Sequence, residues 1–328
     1  MQRYSRIWIY MISALVFMIS VTGMIYYGYK TFYFDKEPVG TTHYTDHYVL
    51  ISEEMGNDYW ELIEAGAQQV VAENSGIYLD SIAPEKADND QLLRLLDRTI
   101  SMGVDGIITQ GVEGERFVEL VQKGTERGIP ILTIDSDVQG SERKAYIGTD
   151  NFYAGQLMAQ SIIEQTTDQQ FVGIVMGRAD SINQRERLAG LKDGIQSNDQ
   201  IQIVGNMDSN ITRIGAAQAT YSLIKKYPKI TTLVGMSALD GVGIVDGLGE
   251  IAPNKEVYIT AFDVLPETLT LIDKGKIAAT ISQDPEEMGR RAMEVMLDIK
   301  QEEYVEGKIF TTTEIIDAAK VKQRGEQK

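Results

Sequence analysis

Residues 106–137 read GIITQGVEGERFVELVQKGTERGIPILTIDSD, and residues 231–263 read TTLVGMSALDGVGIVDGLGEIAPNKEVYITAFD. Each stretch contains a short apolar run, a loop, a run of helical length and a second apolar run that ends on an aspartate, Asp135 or Asp263. Strands that alternate with helices at this spacing are typical of parallel β-sheets with helices on both faces. The two stretches therefore predict an α/β fold with two similar halves.

The same alternation extends over the chain from Tyr48 onward. Nearly 300 residues exceed the size at which one hydrophobic core usually stops growing, so we expect two lobes. The predicted strands are Tyr48–Ile51, Ile77–Ile82, Gly106–Thr109, Ile131–Asp135 and Ala145–Gly148 in the first half, and Phe171–Met176, Ile201–Met207, Thr232–Gly235, Val257–Phe262 and Ala278–Ser282 in the second. Helices are predicted over Asp58–Asn74, Asp88–Met102 and Glu113–Arg127.

Asp135 and Asp263 are candidate ligand contacts because of where they stand. In open parallel sheets, ligands bind beyond the carboxyl ends of the strands. Two lobes that face each other would direct these carboxylates into one cleft from opposite sides. The alternative, that each aspartate only caps the element that follows it, stays open at this point.

The composition excludes several classes of chemistry. The chain has no Cys and only two His, His43 and His47, so disulfides, thiol nucleophiles, thiolate metal sites and a Ser/His/Asp triad in the main body are ruled out. The 48 acidic side chains outnumber the 31 basic ones, which disfavours nucleic acid as a partner. We expect no metal and no cofactor, and we expect the protein not to be an enzyme.

The amino terminus predicts a membrane anchor. Ile7 to Tyr29 are 23 consecutive uncharged residues, close to the roughly 20 that a helix needs to cross a bilayer. Arg3 and Arg6 precede this segment and favour a cytoplasmic amino terminus with the rest of the chain outside. A cleaved signal peptide is the alternative, although Thr22-Gly23-Met24 is a poor cleavage site. Residues 1–30 carry three basic and no acidic side chains, so the remainder has a net charge of −20.

Segments spread over most of the chain resemble the type I periplasmic sugar-binding proteins, the group that binds ribose, galactose and xylose. They are EEMGNDYWELIEAGAQQ, SMGVDGIITQG, GIPILTIDSD, YIGTDNFYAGQLMA, NQRERLAGLKDGI and ITAFDVLPETLTLIDKGKIAATISQDPEEMGRRA. The resemblance covers Tyr48–Thr313. It implies two Rossmann-like lobes with parallel sheets, joined by a three-strand hinge and preceded here by one transmembrane helix.

The resemblance also implies domain boundaries. Residues 1–30 would form the cytoplasmic tip and transmembrane anchor, and residues 31–46 a stalk. The first lobe would comprise 47–149 plus 284–311, and the second 150–283 plus 312–328. The chain would cross between the lobes near 149–150, 283–284 and 311–313.

In the first lobe, the resemblance assigns ligand contacts to one amide, two aromatic side chains and two further polar groups. Asn57 matches an amide that bonds a sugar hydroxyl, while Tyr59 and Trp60 match the aromatic pair that packs on the sugar ring. Gln110 and Asp135 match polar positions at strand ends. The competing interpretation of Tyr59 and Trp60 is that they belong to the helix core.

In the second lobe, Arg187 matches the ligand-contacting arginine of the family, with Arg185 as the second choice. Asp263 and Gln283 match hydroxyl-binding positions, and Ile211 lies where some members place an aromatic residue. An arginine on a helix often only faces solvent or pairs with a carboxylate, so the assignment of Arg187 rests on the resemblance.

Three positions depart from the usual family pattern. Ser136 and Ser237 are also assigned to the ligand, but Ser136 stands where sugar binders often have Arg, and Ser237 and Ala238 replace an Asn-Asp pair. The resemblance therefore implies a sugar or sugar-like ligand without identifying it. The implied function is capture of that ligand outside the cytoplasm for an ABC importer, with a membrane-anchored sensor that signals to a histidine kinase as the alternative.

Two features of the sequence would favour catalysis over binding. Residues 241–249, GVGIVDGLG, resemble a dinucleotide-binding loop, but their glycines fall inside a predicted helix and their spacing is wrong. Asp135 and Asp263 could serve as the carboxylate pair of a glycosidase, yet nothing else in the sequence favours hydrolysis.

Overall fold

The computed structural model describes residues 2–32 and 44–326. The chain divides into two compact units, residues 1–44 and residues 45–328. In the first unit, helix α1 spans Gln2–Phe32. Among the described residues, none of the helices combines the length and the apolar character required to span a membrane. The predicted transmembrane helix over Ile7–Tyr29 stays a prediction, and most of the predicted stalk lies outside the described residues, as does His43.

The second unit contains two six-stranded sheets, each the centre of one lobe. In the first sheet the strand order is β11-β5-β4-β3-β1-β2, and all of its pairings are parallel. The elements of this first lobe are β1 (Asp46–Ile51), α2 (Asp58–Glu73), β2 (Ile77–Ile82), α3 (Asn89–Met102), β3 (Gly106–Gln110), α4 (Glu115–Glu126), β4 (Ile131–Ile134) and β5 (Ala145–Gly148), followed late in the chain by α10 (Pro285–Lys300) and β11 (Lys308–Phe310).

In the second sheet the order is β12-β10-β9-β8-β6-β7, which is parallel except for the β10–β12 pair. The elements of this second lobe are α5 (Asn151–Gln165), β6 (Gln170–Met176), α6 (Ile182–Ile195), β7 (Ile201–Asp208), α7 (Arg213–Lys226), β8 (Thr232–Gly235), α8 (Asp240–Ile251), β9 (Tyr258–Phe262), α9 (Pro266–Asp273), β10 (Ala279–Ser282), β12 (Glu314–Asp317) and α11 (Ala318–Glu326).

The strands predicted from the sequence occur in the structure, with one instructive difference. The predicted strand Ile131–Asp135 ends at Ile134 because Asp135 has a φ of 64°, in the left-handed region. Asp263, at the end of β9, has a φ of 67°. The two halves thus share the same backbone turn at the same place.

Both faces of each sheet are buried, as expected for parallel strands covered by helices. Along β1, Tyr48 and Leu50 pack towards α2 and α10, whereas Val49 and Ile51 pack towards α3 and α4. In the second lobe, one cluster joins the sheet to α5 and α6, and another joins it to α7 and α8.

Glycines allow the closest helix contacts. A Cβ on Gly289 of α10 would overlap the Ile63 carbonyl of α2, and one on Gly66 would overlap the Glu286 carbonyl. The second lobe repeats this arrangement between α5 and α6, where Gly190 meets the Phe152 carbonyl. Each lobe therefore has one tightly packed helix pair.

The chain passes between the two sheets three times, after β5, after β10 and after β11. Two of these crossings are bonded to each other, since Thr149 Oγ1 donates to Gln283 Oε1 at 2.7 Å. Each of these two crossings leads directly into a helix of a tightly packed pair, α5 or α10.

Candidate ligand-binding site

The turns at the ends of β4 and β9 bring the two strand-end aspartates to the cleft between the lobes. The backbone N–H of Asp135 donates to Ile147 O at 3.2 Å, and that of Asp263 donates to Ile281 O at 2.8 Å. Their side chains are almost entirely buried, with 5% and 4% exposure, and both line the same cavity. The positive φ at each aspartate ends the strand and turns the carboxylate towards this cavity.

The cavity contains about 460 Å³ of space not filled by protein atoms, a value that includes space open to solvent. Both lobes and one hinge segment contribute to its wall. The lining residues are Glu53, Asn57, Tyr59, Trp60 and Asp135 from the first lobe, Gly177, Arg178, Ser181, Asn183, Gln184, Arg187, Ile211, Ser237, Ala238 and Asp263 from the second, and Gln283 from the hinge.

Tyr59 and Trp60 form the aromatic part of the wall. Their rings meet edge to face, with centroids 5.9 Å apart. Both belong to the hydrophobic core of the first lobe, as the competing interpretation expects, and both also line the cavity. Asn57 caps α2 by accepting from Tyr59 N at 3.0 Å, and its amide donates to Glu54 at 2.8 Å. The cap fixes where the aromatic pair stands.

Asp135 is already bonded from both lobes. Tyr59 Oη donates to its Oδ1 at 2.8 Å, and Asn183 Nδ2, from the second lobe, donates to its Oδ2 at 2.7 Å. Gln110 donates to Oδ2 at 3.4 Å. The Asn183–Asp135 bond is a direct contact between the lobes across the cleft.

Two of the predicted contacts do not line the cavity. Gln110 lies behind Asp135, because it is the last residue of the neighbouring strand and its amide is directed at that carboxylate. Ser136 follows the left-handed turn at Asp135, which takes its side chain away from the cavity. The other nine predicted contacts line the cavity.

Arg187 is held on three sides. Its guanidinium carbon lies 3.6 Å from the centre of the Phe262 ring, Nε donates to Asn151 Oδ1 at 2.8 Å, and Nη1 donates to Met236 O at 2.7 Å. The side chain is 2% exposed, and Nη2 has no hydrogen-bond partner within the described part of the chain. The arginine is therefore fixed in place with one donor left over.

Two more buried polar atoms of the wall lack a partner among the described residues. They are Ser237 Oγ and Asp263 Oδ1. A buried polar atom without a hydrogen bond costs roughly 1–3 kcal/mol, so such atoms are rare in folded proteins. Together with Arg187 Nη2, they offer a donor, an acceptor and a hydroxyl to a polar ligand.

Burial shifts the titration of the acidic groups in the wall. Desolvation raises the pKa of Glu53 to about 7, helped by the charge of Asp135 and opposed by Arg178. Desolvation also raises the pKa of Asp263 to about 7, against the opposing effects of Arg187 and a hydrogen bond from Gln283. The pKa of Asp135 is raised by burial as well, although Arg187 and the bond from Tyr59 lower it.

Comparison with known proteins places this fold and cavity in a family. Residues 48–303 match the family described as the periplasmic binding protein domain. The chain belongs to this family. GanP, a glucose-galactose binding protein from Geobacillus stearothermophilus, has a solved structure that is 39% identical, with a TM-score of 0.80, covering 84% of this chain and 98% of GanP.

Two other relatives differ in what their names record. The structure of an XylFII–LytSN complex is 34% identical, with a TM-score of 0.79, and covers 84% of this chain and 98% of its own. The ribose import binding protein RbsB of Escherichia coli (strain K12) is 21% identical over 263 residues, which are 80% of this chain and 88% of RbsB.

Several residues that line the cavity were not assigned by the family resemblance. Simple sequence rules would have found two of them, Glu53 and Asn183. Glu53 is the second residue after β1, close enough to the strand end for the rule that identifies Asp135, the first residue after β4, to include it. Asn183 lies four residues before Arg187 on α6, and this spacing puts both on one helix face. Arg178 and Ser181 lie on the loop between β6 and α6, where no sequence pattern marks them.

Proposed function

We propose that this protein binds a monosaccharide reversibly in the cleft between its lobes and presents it to an ABC importer. The observation that carries the proposal is that Arg187, Ser237 and Asp263, which line the cavity together with Tyr59 and Trp60, each have a buried polar atom without a partner among the described residues. The names of RbsB and GanP, which record sugar binding, support it.

The chemistry of the wall suits a polyhydroxylated ring. The apolar face of a sugar packs on aromatic side chains, and each buried hydroxyl needs a hydrogen-bond partner. Asp263 supplies an acceptor and Arg187 a donor from the second lobe. Closure completes the site, since the aromatic pair belongs to the first lobe. Contacts that exist only in the closed form shift the population towards it when ligand binds.

The capture claim is tested with the intrinsic fluorescence of Trp60. The chain has only one other tryptophan, Trp8 in α1, so the unit of residues 45–328 reports on Trp60 alone. We expect at least one of D-glucose, D-galactose, D-xylose, D-ribose and D-allose to change this fluorescence and to raise the melting temperature. Asp263→Asn should weaken both responses, whereas Asn74→Ala, at the far end of α2, should leave them unchanged.

One observation favours a second function. A relative with 34% identity has been solved as a complex between XylFII and LytSN, which means that a protein of this family can pair with a second protein. We propose, as the alternative, that the closed form signals through a membrane receptor such as a histidine kinase. Co-purification of this protein with a kinase encoded by a neighbouring gene, in the presence of sugar only, would favour sensing over import.

We further propose that residues 7–29 anchor the protein with its lobes outside the cytoplasm. The support is the run of 23 uncharged residues after Arg3 and Arg6. Extraction of cell membranes at alkaline pH tests this proposal. An anchored protein stays in the membrane pellet at its full length, whereas a protein with a cleaved signal is released into the soluble fraction and lacks the segment.

A further inference from the structure

Asn151 is bonded to both lobes at the hinge. It is the first residue of α5, directly after the crossing from β5, and it is 2% exposed. Its Nδ2 donates to Thr149 O at 3.3 Å and lies 3.5 Å from Asp135 O, on the first lobe. Its Oδ1 accepts from Arg187 Nε at 2.8 Å, on the second lobe. One amide thus joins the backbone of one cavity residue to the side chain of another.

The carbonyl groups that Asn151 approaches are themselves fixed. Tyr146 Oη lies 2.9 Å from both Asp135 O and Thr149 O, and its single O–H is shared between these two acceptors. Tyr146 lies on β5 and is 3% exposed. The first lobe therefore presents two carbonyl oxygens at fixed positions, and these positions determine which way the Asn151 amide turns.

Arg187 depends on that orientation. Its other fixed contacts, the Phe262 ring and the Met236 carbonyl, both belong to the second lobe. Among the described residues, only the hydrogen bond to Asn151 links the Arg187 guanidinium to the first lobe. If the amide rotated, Nε would lose its acceptor, and only the Phe262 ring and the Met236 carbonyl would hold the guanidinium.

We propose that Asn151 is a positioning residue that couples the orientation of the Arg187 guanidinium to closure of the two lobes. When the lobes are closed, the carbonyls of Asp135 and Thr149 hold the amide with its oxygen towards Arg187. Opening moves Asp135 away and frees the amide. The donor on Arg187 is then aligned only when both lobes are in place. The part of this proposal that concerns ligand affinity rests on the proposed function.

Distances between spin labels test the coupling without any ligand. The chain has no native Cys, so Glu119→Cys on α4 and Gln218→Cys on α7, both exposed, label one lobe each in the full-length protein. We expect the ligand-free parent protein to show a population at the short distances of the closed lobes, and Asn151→Ala to lose much of that population to longer distances. Asn74→Ala is the matched control. Asn74 also donates to a backbone carbonyl, that of Val70, but it lies at the carboxyl end of α2, away from the end that carries the cavity residues Tyr59 and Trp60. It should leave the distribution unchanged.

A double-mutant cycle tests the effect on Arg187. With D-glucose and D-galactose as probes, we expect Arg187→Lys to weaken binding by about tenfold or more in the parent protein and by about twofold or less in the Asn151→Ala background. In the Asn183→Ala background, which removes a contact between the lobes but leaves Arg187 in place, the effect of Arg187→Lys should persist in full.

A third variant separates the two hydrogen-bonding functions of Asn151, as an acceptor for Arg187 and as a donor towards the first lobe. Asn151→Asp keeps an acceptor for Arg187 Nε but loses the donor towards Asp135 and Thr149, so we expect the shift towards longer distances while the effect of Arg187→Lys remains. It also serves if Asn151→Ala fails to fold. An unchanged distance distribution in a folded Asn151 variant would overturn the proposal, as would an equal effect of Arg187→Lys in the Ala background. If neither sugar binds, the proposed function loses these two ligands, and the distance distribution still decides the role of Asn151.

Discussion

At the residue scale, some polar groups of the cavity wall have hydrogen-bond partners within the protein and others have none among the described residues. Asp135, which the sequence comparison assigns to the ligand, already bonds Tyr59 and Asn183. Asp263, its counterpart in the other half, keeps one oxygen without a partner among the described residues. Two aspartates at equivalent turns therefore differ in what they have left to offer a ligand.

Asp263→Asn tests this asymmetry. Because Asp263 has a pKa of about 7, the comparison is made at pH 8, where the amide keeps the shape of the side chain but removes the negative charge and one acceptor. We expect sugar affinity at this pH to fall by about tenfold to a hundredfold. The measurement is a titration followed by Trp60 fluorescence. Asp80→Asn on β2, which lies outside the cavity lining, is the control and should bind as the parent does. Equal affinity of Asp263→Asn and the parent would contradict the assignment.

The raised pKa of Glu53 predicts a pH dependence of stability. Glu53 has a pKa of about 7 in the folded protein, against an ordinary value of 4.5. Between these values the folded protein binds more protons than the unfolded chain, so its free energy of unfolding falls as pH rises from about 4.5 to about 7. Asp263 acts in the same direction. We expect the ligand-free protein to melt a few degrees higher at pH 5.5 than at pH 7.5.

Glu53→Gln identifies the group responsible. The glutamine cannot ionise, so the variant should lose part of the difference in melting temperature between pH 5.5 and pH 7.5. Carboxylates whose pKa is lowered, such as Asp97 and Asp180, lose their stabilising effect only at more acidic pH and do not contribute in this window. A difference of the same size in Glu53→Gln and the parent would show that Glu53 is not a source of it.

At the element scale, the tight pairs α2–α10 and α5–α6 connect the hinge to the cavity. α5 and α10 each begin just after a chain crossing, and their partners α2 and α6 begin with residues of the cavity wall, Tyr59 near the start of one and Asn183 near the start of the other. The close packing at glycines makes each pair a rigid unit.

Gly289→Ala and Gly249→Ala should have opposite effects on stability. A Cβ at Gly289 overlaps the Ile63 backbone, so we expect a loss of about 1–3 kcal/mol in the free energy of unfolding. Gly249 is also helical, but a Cβ there meets no atom within 4 Å, and alanine should stabilise α8 by roughly 0.5–1 kcal/mol. Chemical denaturation measures both. A neutral result at Gly289 would mean that the helix pair can separate without cost.

The ten predicted strands and three predicted helices lie within a few residues of observed elements, because buried parallel strands and amphipathic helices leave clear periodic patterns, whereas the short strands β11 and β12 were not predicted. The strand-end aspartates were also predictable, since they follow directly from strand position. What the sequence did not reveal depends on pairs of residues that are distant in the chain. Asn183 is a site residue because it meets Asp135, 48 positions away, and Gln110 lies behind the wall because Asp135 occupies the front.

At the scale of the whole molecule, the second unit is built for relative movement of two lobes. Each lobe has its own sheet and its own pair of hydrophobic clusters. Across the cleft, the contacts include the buried hydrogen bond between Asn183 and Asp135 and the exposed ion pair between Arg185 and Glu113, 2.6 Å long, and both are polar. The lobes can therefore separate without exposing either core.

Small-angle X-ray scattering of residues 45–328 measures this movement. We expect the radius of gyration to decrease when a binding sugar is added, because the ligand joins the two lobes. Glu113→Gln removes the exposed ion pair with Arg185 and should change the ligand-free value only slightly, as exposed pairs contribute little. A radius that is the same with and without a sugar that binds would contradict closure of the lobes on the ligand.

Isothermal titration calorimetry of residues 45–328 with D-glucose, D-galactose, D-xylose, D-ribose and D-allose tests the central claim most directly. We predict that at least one of these sugars binds at a single site, that it is recovered unchanged after the titration, and that Asp263→Asn weakens its binding. The absence of a binding signal for all five sugars, in protein that melts cooperatively, would contradict the claim that the cleft captures a monosaccharide.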